Sequence, residues 1–425
     1  MTSNKISLQS AILMSINIMA GAGVFINIVD LTRELSFFGG FLYFIIGCFL
    51  FPLIFTIAKL VETFPSGGFY AFGKPMHPFL GFLSCWTYFF GKLASVSLYM
   101  HVVTTFLRQL FPYIFGGINP FWINISILTI YILLNCLNMR VGVIIQKIFI
   151  IAKATPLIAL TVLGVCYFDI NLISAYALDT SLNQFIYMLP VALYSFSGFE
   201  AACSVSRNLE NPEKNAPKAI FYSFFTVVLI YLMFQTLMSF LLKPVIGNLH
   251  SYAQAYPYLM SLTPASALIQ SKLTTLLSFF IGFSAMGAAY SVLFSNSWNL
   301  YTLAENKHTF ASKALVTFNR YSIPYLAVIA EGLICVLFLW VTGGNKIPLQ
   351  QISTLGGTIT YTISTLAFLY TTQKSRFPGY LSLLTCSGLI TSCILSIIQH
   401  DISSLYLFII MSIFGISMYW ANRKK

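Results

Sequence analysis

Two glycines in three residues interrupt the first apolar stretch of this chain, at Met19-Ala20-Gly21-Ala22-Gly23-Val24-Phe25. Because glycine weakens the interior of a helix, the pattern predicts a break that turns free backbone N–H and C=O groups toward a ligand. At membrane depth such a break is tolerated only where the freed backbone faces protein or a wet cavity. The same glycines are also compatible with close packing against a neighbouring helix.

A second interruption follows about half a chain later, at Tyr194-Ser195-Phe196-Ser197-Gly198-Phe199-Glu200. Serines, a glycine and an acid stand there in the middle of another apolar stretch. Two broken helices at corresponding places in two halves of a chain are typical of a transporter site that lies between inverted repeats. The second interruption therefore favours unwinding over simple packing at the first.

Four charged residues fall deep inside apolar stretches, where a charge is expensive and marks a functional candidate. They are Lys92, Lys153, Glu200 and Glu331. Lys92 lies roughly 18 Å along its helix, where it either serves the site or pairs with a carboxylate that holds helices together. Lys153 is nearly two turns deeper than Lys147 and cannot easily reach the membrane interface. Glu331 is expected to be protonated or paired with a neighbour.

The composition decides the class of protein that carries these residues. Hydrophobic residues make up 58% of the 425 positions and charged residues only 8%, whereas a soluble domain carries roughly 25% charged residues. The chain is therefore predicted to be an all-α integral membrane protein. Its apolar stretches are each long enough to span a bilayer as a helix. About twelve such spans are predicted, at residues 8–29, 38–62, 80–107, 121–138, 144–168, 185–206, 217–242, 273–303, 323–342, 349–372, 380–399 and 402–421.

The positions of the two breaks predict how these helices are grouped. Residues 1–168, with helices one to five, form the predicted first repeat, and residues 183–372, with helices six to ten, form the second. The breaks then fall in helices one and six, the first helix of each repeat. Residues 378–425 hold two appended helices.

Basic residues are distributed unevenly between the two ends of the predicted helices. If the N-terminus is cytoplasmic, 16 of the 23 Lys and Arg residues lie on the cytoplasmic side and five on the other, with Lys92 and Lys153 inside the membrane. The positive-inside rule thus predicts a multi-pass protein of the cell (inner or plasma) membrane with both termini in the cytoplasm. The net charge of +12 follows from this topology and does not indicate nucleic acid as a partner.

Other function classes fit the sequence less well. The eight cysteines lie within or at the ends of apolar stretches, without C-x-x-C or Cys/His metal spacing, and the five histidines are scattered. We therefore expect no metal, no cofactor and no catalytic residue, which argues against a membrane-embedded enzyme. A channel would need a symmetric ring of carbonyls or charges, usually in a short oligomeric chain.

Four segments of the chain resemble the amino acid permeases of the amino acid–polyamine–organocation (APC) superfamily. The family motifs read G-S/A-G-I/V-F, P-x-G-G-x-Y, F-x-G-x-E with a downstream N-P…P, and L-Y-x-x-A-R-D-G. The matching segments here are Gly21 to Phe25, Pro65 to Tyr70, Phe196 to Glu200 with Asn211, Pro212 and Pro217, and Leu300 to Glu305. In the last, Glu305-Asn306-Lys307 replaces R-D-G. The resemblance covers residues 8 to 421.

The resemblance implies a LeuT-like fold of five plus five helices, with the substrate beside both broken helices. It places the substrate α-carboxylate on the backbone N–H groups of Gly21, Ala22 and Gly23, at the positive end of a half-helix. The α-ammonium would meet carbonyls around Met19, Tyr194 and Ser197. The chain is similar to the arginine/agmatine antiporter of this family, although Tyr194 stands in place of its gating tryptophan and Ala22 in place of its site serine.

The implied function is a secondary active transporter, either a permease or an antiporter, that moves amino acids or related amines by alternating access. Its partners would be a small amino acid or amine substrate and the lipid bilayer. We also expect protonation of Glu200, two residues beyond Gly198, to open or close the sixth helix. A structural hydrogen bond that never titrates is the alternative for this residue.

Lys153, in the predicted fifth helix, indicates which ion drives transport. The segment from Phe149 to Pro156, which contains Lys153, resembles the F-x-x-x-K-x-x-P context in which many amino acid permeases carry a lysine where sodium-coupled relatives bind their ion. The resemblance implies sodium-independent transport, with Lys153 bonded to first-helix carbonyls around Ile18 to Ala20. A lysine that loses its proton would instead carry the coupling proton. A snorkelling side chain without contact to the break is the structural alternative.

Overall fold

The fold is described from a computed structural model that covers residues 5–21, 23–66, 68–137, 139–169, 181–373, 375–400 and 402–423. Within these residues the chain forms helices and no strand, which confirms the all-α prediction. Ser206–Asn208 and Lys243–Asn248 form short 3-10 helices. The α-helices are α1 Leu8–Met19, α2 Gly23–Ile26, α3 Ile28–Leu35, α4 Phe38–Thr63, α5 Gly68–Gly73, α6 Pro78–Leu110, α7 Pro112–Phe115, α8 Pro120–Asn135, α9 Met139–Cys166, α10 Leu182–Phe196, α11 Ala201–Ser204, α12 Pro212–Leu242, α13 Tyr252–Ser261, α14 Ala267–Glu305, α15 Ser312–Leu315, α16 Tyr325–Thr342, α17 Lys346–Thr371, α18 Phe377–His400 and α19 Ser403–Arg423.

Ten helical stretches among the described residues are long and apolar enough to cross a membrane. The first of them runs over α1 and α2, from Leu8 to Ile26, and includes the glycine break. Helix α8, at Pro120–Asn135, is apolar but shorter, and α10 has 15 residues before the second interruption. The chain is therefore a multi-pass membrane protein. Twelve crossings and the repeat boundaries at 1–168, 183–372 and 378–425 stay predictions.

Two short helices lie between the predicted spans. Residues 30–37 separate the predicted spans 8–29 and 38–62, but α3 continues to Leu35 because Ile28, Leu31 and Leu35 recur at helical spacing and are all buried. In the motif segment from Pro65 to Tyr70, Gly68 (φ +53°) starts the short helix α5, which buries Phe69 and Phe72.

Helix α6 lies at the centre of the fold and packs against α14, α17, α16 and α5. Small residues allow the closest approaches, as membrane helices require. A Cβ on Gly356 of α17 would lie 2.5 Å from the carbonyl oxygen of Thr87 on α6. A Cβ on Gly40 of α4 would lie 2.9 Å from the Leu232 carbonyl oxygen of α12. The backbones of these helix pairs are therefore in direct contact, which leaves α6 little freedom to shift.

At each end of the molecule, an ion pair joins two segments that are far apart in the chain. Lys346 Nζ lies 2.6 Å from Asp30 Oδ2, and these residues belong to α17 and α3. At the opposite end Arg207 Nη2 lies 2.9 Å from Glu305 Oε2. The first pair lies at the end expected to face outward, and the second lies at the basic, cytoplasmic end of the sequence-based topology.

Candidate functional site

The first interruption of the N-terminal helix separates α1 from α2. Met19 ends α1, Ala20 and Gly21 are not helical, and Gly23 begins α2. Ala22, which was expected to contribute a backbone N–H to the carboxylate site, lies outside the described residues. The side chain of Ser284, on α14, donates hydrogen bonds to the carbonyl oxygens of Ala20 (3.3 Å) and Gly21 (3.4 Å). The backbone groups freed by this break thus find partners on another helix.

Lys153 makes a direct contact with the first helix. Its side chain is only 2% exposed, and Nζ donates to the carbonyl oxygen of Asn17 at 2.6 Å. That oxygen lies one residue before the predicted stretch from Ile18 to Ala20. The Asn17 side chain in turn donates to Ser291 Oγ on α14 at 2.7 Å. Lys153 therefore joins α9 to the meeting point of α1 and α14, and whether it takes the place of a coupling ion stays a prediction.

The second interruption lies between α10 and α11. Phe196 ends α10, Ser197 is extended, and Gly198 has φ +134°, a conformation that L-residues with a Cβ rarely adopt. A Cβ at Gly198 would lie 3.0 Å from the backbone nitrogen of Met19 and would collide with the side chain of Ile18. The two interruptions are therefore packed directly against each other.

One tyrosine connects the freed carbonyls of the two interruptions. The hydroxyl of Tyr231, on α12, lies 2.5 Å from the carbonyl oxygen of Met19 and 3.0 Å from that of Ser195. Tyr231 itself is completely buried. A single hydroxyl thus bridges the end of α1 and the end of α10, so that a shift of either half-helix changes a contact of the other.

Tyr194 closes the space beside the first break. Its ring centroid lies 6.3 Å from that of Tyr99 on α6. A Cβ on Gly21 would lie 3.2 Å from the Tyr99 hydroxyl and 2.7 Å from the Ala288 Cβ on α14. Tyr194, Tyr99 and Gly21 therefore meet at one point, and only a residue without a side chain fits where Gly21 stands.

The two intramembrane charges Lys92 and Glu200 form an ion pair beside the second break. Lys92 Nζ lies 2.7 Å from Glu200 Oε1 and donates to Ser197 Oγ at 2.6 Å. The other carboxylate oxygen of Glu200 accepts the Gly198 N–H at 3.1 Å. Glu331 is not part of this cluster, because it lies fully buried on α16, where neither carboxylate oxygen has a hydrogen-bond partner among the described residues. Of the four charges singled out from the sequence, three therefore contact the broken helices.

Several site residues were not singled out from the sequence. Tyr88, Ser95 and Tyr99 share one face of α6 with Lys92, at spacings of four, three and four residues. A search for polar residues at helical spacing within the apolar third span would have found them. Tyr231 stands in an apolar stretch without such a pattern, and its role becomes visible only in the folded chain.

Two cavities lie along this site. The smaller, of about 10 Å³, is lined by Tyr194, Ser197, Ser353, Tyr361 and neighbouring residues. The larger, of about 230 Å³, lies toward the end that holds Asp30 and Lys346, and both cavities reach Thr354 on α17. The space beside the second break is therefore about the size of one water molecule, and the wider cavity lies on the other side of Thr354, toward one end of the molecule.

Contacts at the other end bring the remaining motif segments together. The Tyr70 hydroxyl lies 2.9 Å from Nε2 of His308, just beyond α14. Burial, with the nearby charge of Lys74, lowers the pKa of His308 to about 4, so that the imidazole is neutral near pH 7. Glu305, which stands where the family motif has arginine, receives its positive partner from Arg207 instead.

A comparison with known protein families decides the classification. Residues 6–421 match the family model described as amino acid permease. The chain belongs to the amino acid permease family. This membership confirms the resemblance that the four sequence segments indicated.

Relatives in this family are named as permeases and transporters rather than as enzymes. The amino-acid permease AapA of Bacillus subtilis is 24% identical, over 84% of this chain and 76% of the relative. A D-serine/D-alanine/glycine transporter of Escherichia coli is 22% identical, over 78% of this chain and 70% of the relative. The putative amino-acid permease isp5 of Schizosaccharomyces pombe is 24% identical over 72% of this chain. The match spans only 54% of that yeast protein's length.

We expect Gly23→Val to abolish transport while the protein still inserts and folds. A Cβ at Gly23 would lie 3.0 Å from Ser195 Oγ and 3.2 Å from Ser195 Cα, so that a branched side chain must push α2 away from α10. Uptake into proteoliposomes and the thermal stability of the purified protein measure the two effects. Gly117→Val is the matched control, because a Cβ at Gly117 has nothing within 4 Å. Unchanged uptake by Gly23→Val would show that α2 is not part of the substrate site.

Proposed function

We propose that this chain is a secondary active transporter of amino acids that works by alternating access. The observation that carries the proposal is the direct contact between two interrupted helices, where Tyr231 bridges the Met19 and Ser195 carbonyls. Half-helices of this kind present backbone dipoles to a small ligand at membrane depth. The names of the family relatives support an amino acid as that ligand.

The substrate α-carboxylate is proposed to bind the backbone N–H groups of Gly21, Ala22 and Gly23. Gly23 begins a helical stretch that continues through the Asn27 N–H, which donates to the Gly23 carbonyl at 3.1 Å. The positive end of this stretch favours an anion. The nearby lysines are not free to bind it, because Lys92 contacts Glu200 and Lys153 donates to Asn17.

The substrate α-ammonium is proposed to bind carbonyl oxygens at Met19, Tyr194 and Ser197. The Met19 oxygen accepts from Tyr231, and the Tyr194 oxygen accepts the Ser197 N–H at 3.0 Å. A carbonyl oxygen has two lone pairs and accepts a second hydrogen bond. The ammonium would thus join bonds that already hold the two breaks in place.

The wider cavity beside Asp30 is proposed as the route by which substrate reaches the breaks. Arg33, Lys346 and Gln350 line it together with Thr354, which also borders the smaller cavity. In the topology that the basic residues favour, this route opens away from the cytoplasm, and both termini are cytoplasmic. We propose the cell membrane as the location of the chain.

Counterflow in liposomes tests the proposed function. Purified protein is reconstituted with a mixture of unlabelled amino acids inside, and each radiolabelled amino acid is added outside in turn. A transporter accumulates its labelled substrate transiently above equilibrium, whereas a channel lets it only equilibrate. Empty liposomes and the Gly23→Val protein serve as controls. The absence of accumulation for every amino acid, with a folded and reconstituted protein, would contradict the proposal.

We expect transport to be independent of sodium because Lys153 takes the place of a coupling ion. Its ammonium donates to the Asn17 carbonyl, next to Ser291 of α14, and an ammonium supplies a compact positive charge with three donors. Wild-type uptake should be unchanged when choline or potassium replaces sodium. Lys153→Ala should lose transport, because it leaves the buried Asn17 oxygen without its partner at a cost of about 1–3 kcal/mol.

Lys147→Ala is the matched control for this prediction, since Lys147 lies on the same helix and is exposed. It should transport like the wild type. Wild-type uptake that rises steeply with sodium would show that Lys153 does not fill the place of the ion. Normal transport by Lys153→Ala would show that the contact with Asn17 is dispensable.

We further propose that transport is coupled to protons or to exchange, with Glu200 as the residue that responds to pH. Its carboxylate faces Lys92 and Tyr88 on α6 and Tyr361 on α17, and it holds the Gly198 N–H of the second break. Loss of its charge would release Lys92 and loosen α6 from this break. Glu200→Gln should therefore flatten the pH profile of uptake. Glu210→Gln, at an exposed position, should keep the wild-type profile.

A further inference from the structure

Lys92 is a positive charge built into the wall of the proposed substrate site. Its side chain is 5% exposed and reaches from α6 to the second break, where Nζ contacts Glu200 and Ser197. The ring of Tyr88 lies below the ammonium, with its centroid 5.1 Å from Nζ. Ser197 also lines the small cavity between α10 and α17. The Lys92 ammonium therefore lies beside the small cavity, where a cationic side chain of a substrate would come close to it.

Both carboxylate oxygens of Glu200 already contact groups of the protein. One oxygen lies 2.7 Å from the Lys92 ammonium, and the other accepts the Gly198 N–H at 3.1 Å. Among the described residues, Glu331 is the other acid buried within a membrane span, and it lies on α16, away from both breaks. The acid beside the breaks is thus already balanced by a group of the protein itself.

A cationic side chain would add a charge beyond the α-ammonium, which the freed carbonyls are proposed to bind, and this further charge would be unfavourable for two reasons. It would lie close to the Lys92 ammonium in a medium of low dielectric constant, where like charges repel strongly. It would also lose its hydration without gaining a carboxylate in exchange. Burial of an acidic side chain would also be unfavourable, because the ammonium of Lys92 is already paired with Glu200. A neutral side chain avoids both penalties.

We propose that Lys92 acts as an internal counter-ion that makes the site selective for zwitterionic amino acids with neutral side chains and excludes dibasic amino acids and polyamines. This inference rests on the proposed function. It narrows the expectation of amino acids or related amines, because it assigns the amines to the excluded class. Discrimination would then come from a charge that repels the wrong substrate as much as from contacts to the right one.

The experiment compares L-norleucine with L-lysine, which differ at the end of the side chain by the ammonium group. Counterflow is measured for both, and for a panel that also contains the other neutral amino acids, L-arginine, agmatine and putrescine. For the wild type we expect accumulation of neutral amino acids and uptake of lysine, arginine and the amines at least about 10-fold lower. Comparable accumulation of the cationic compounds overturns the inference and leaves the proposed function intact.

The decisive variant is Lys92→Met, which keeps the length and apolar body of the side chain and removes the charge. It leaves the Glu200 carboxylate free beside Ser197, so that the ratio of lysine to norleucine uptake should rise about 10-fold or more. Lys92→Arg retains the charge and should retain the exclusion. A folded Lys92→Met protein whose preference for neutral substrates is unchanged overturns the inference.

A double variant separates the charge of Lys92 from the attraction of a free carboxylate. Lys92→Met/Glu200→Gln removes both charges, so its ratio of lysine to norleucine uptake should lie between those of the wild type and Lys92→Met. Thermal unfolding of each purified variant shows which ones fold. If Lys92→Met does not fold, the wild type and the double variant still decide: comparable lysine uptake by the wild type, or a folded double variant that excludes lysine as strongly as the wild type, contradicts the inference. A wild type that accumulates no amino acid at all contradicts the proposed function instead.

Discussion

The rest of this structure depends on one constraint, that backbone groups freed inside a membrane must find partners within the protein. The first break frees carbonyls near the end of α1, and side chains from three other helices meet them. Lys153 binds the Asn17 oxygen, Tyr231 the Met19 oxygen, and Ser284 those of Ala20 and Gly21. Helices α9, α12 and α14 therefore have to stand where their side chains reach these oxygens, and the break determines the arrangement of helices around it.

The two breaks form one mechanical unit. Gly198 lies against the Met19 amide, and the Tyr231 hydroxyl is shared between the Met19 and Ser195 carbonyls. The ion pair of Lys92 and Glu200 adds α6 to this unit through the Gly198 N–H. A change in one of these bonds therefore changes the others.

Departures from the family motifs are compensated by partners elsewhere in the fold. Glu305 replaces the arginine of the last motif, and Arg207, on the short 3-10 helix after α11, supplies the opposite charge at 2.9 Å. Its guanidinium also lies over the ring of Tyr301, 5.1 Å from the ring centroid. Arg207 therefore joins the segment after the second break to the end of α14.

The sequence by itself determined the helical class, the membrane location of the helices and the two breaks, because each follows from local composition: long apolar stretches span a bilayer, and glycines interrupt helices. It also identified Lys92, Lys153 and Glu200, since an intramembrane charge is conspicuous. Only the tertiary structure decided which groups these charged side chains contact. Lys153 binds Asn17 rather than the next carbonyls because the rotation of α1 about its axis is set by packing against α12 and α14, not by its own residues. Lys92 meets Glu200 only because α6 crosses the second break, a contact between segments far apart in the chain that no local pattern encodes.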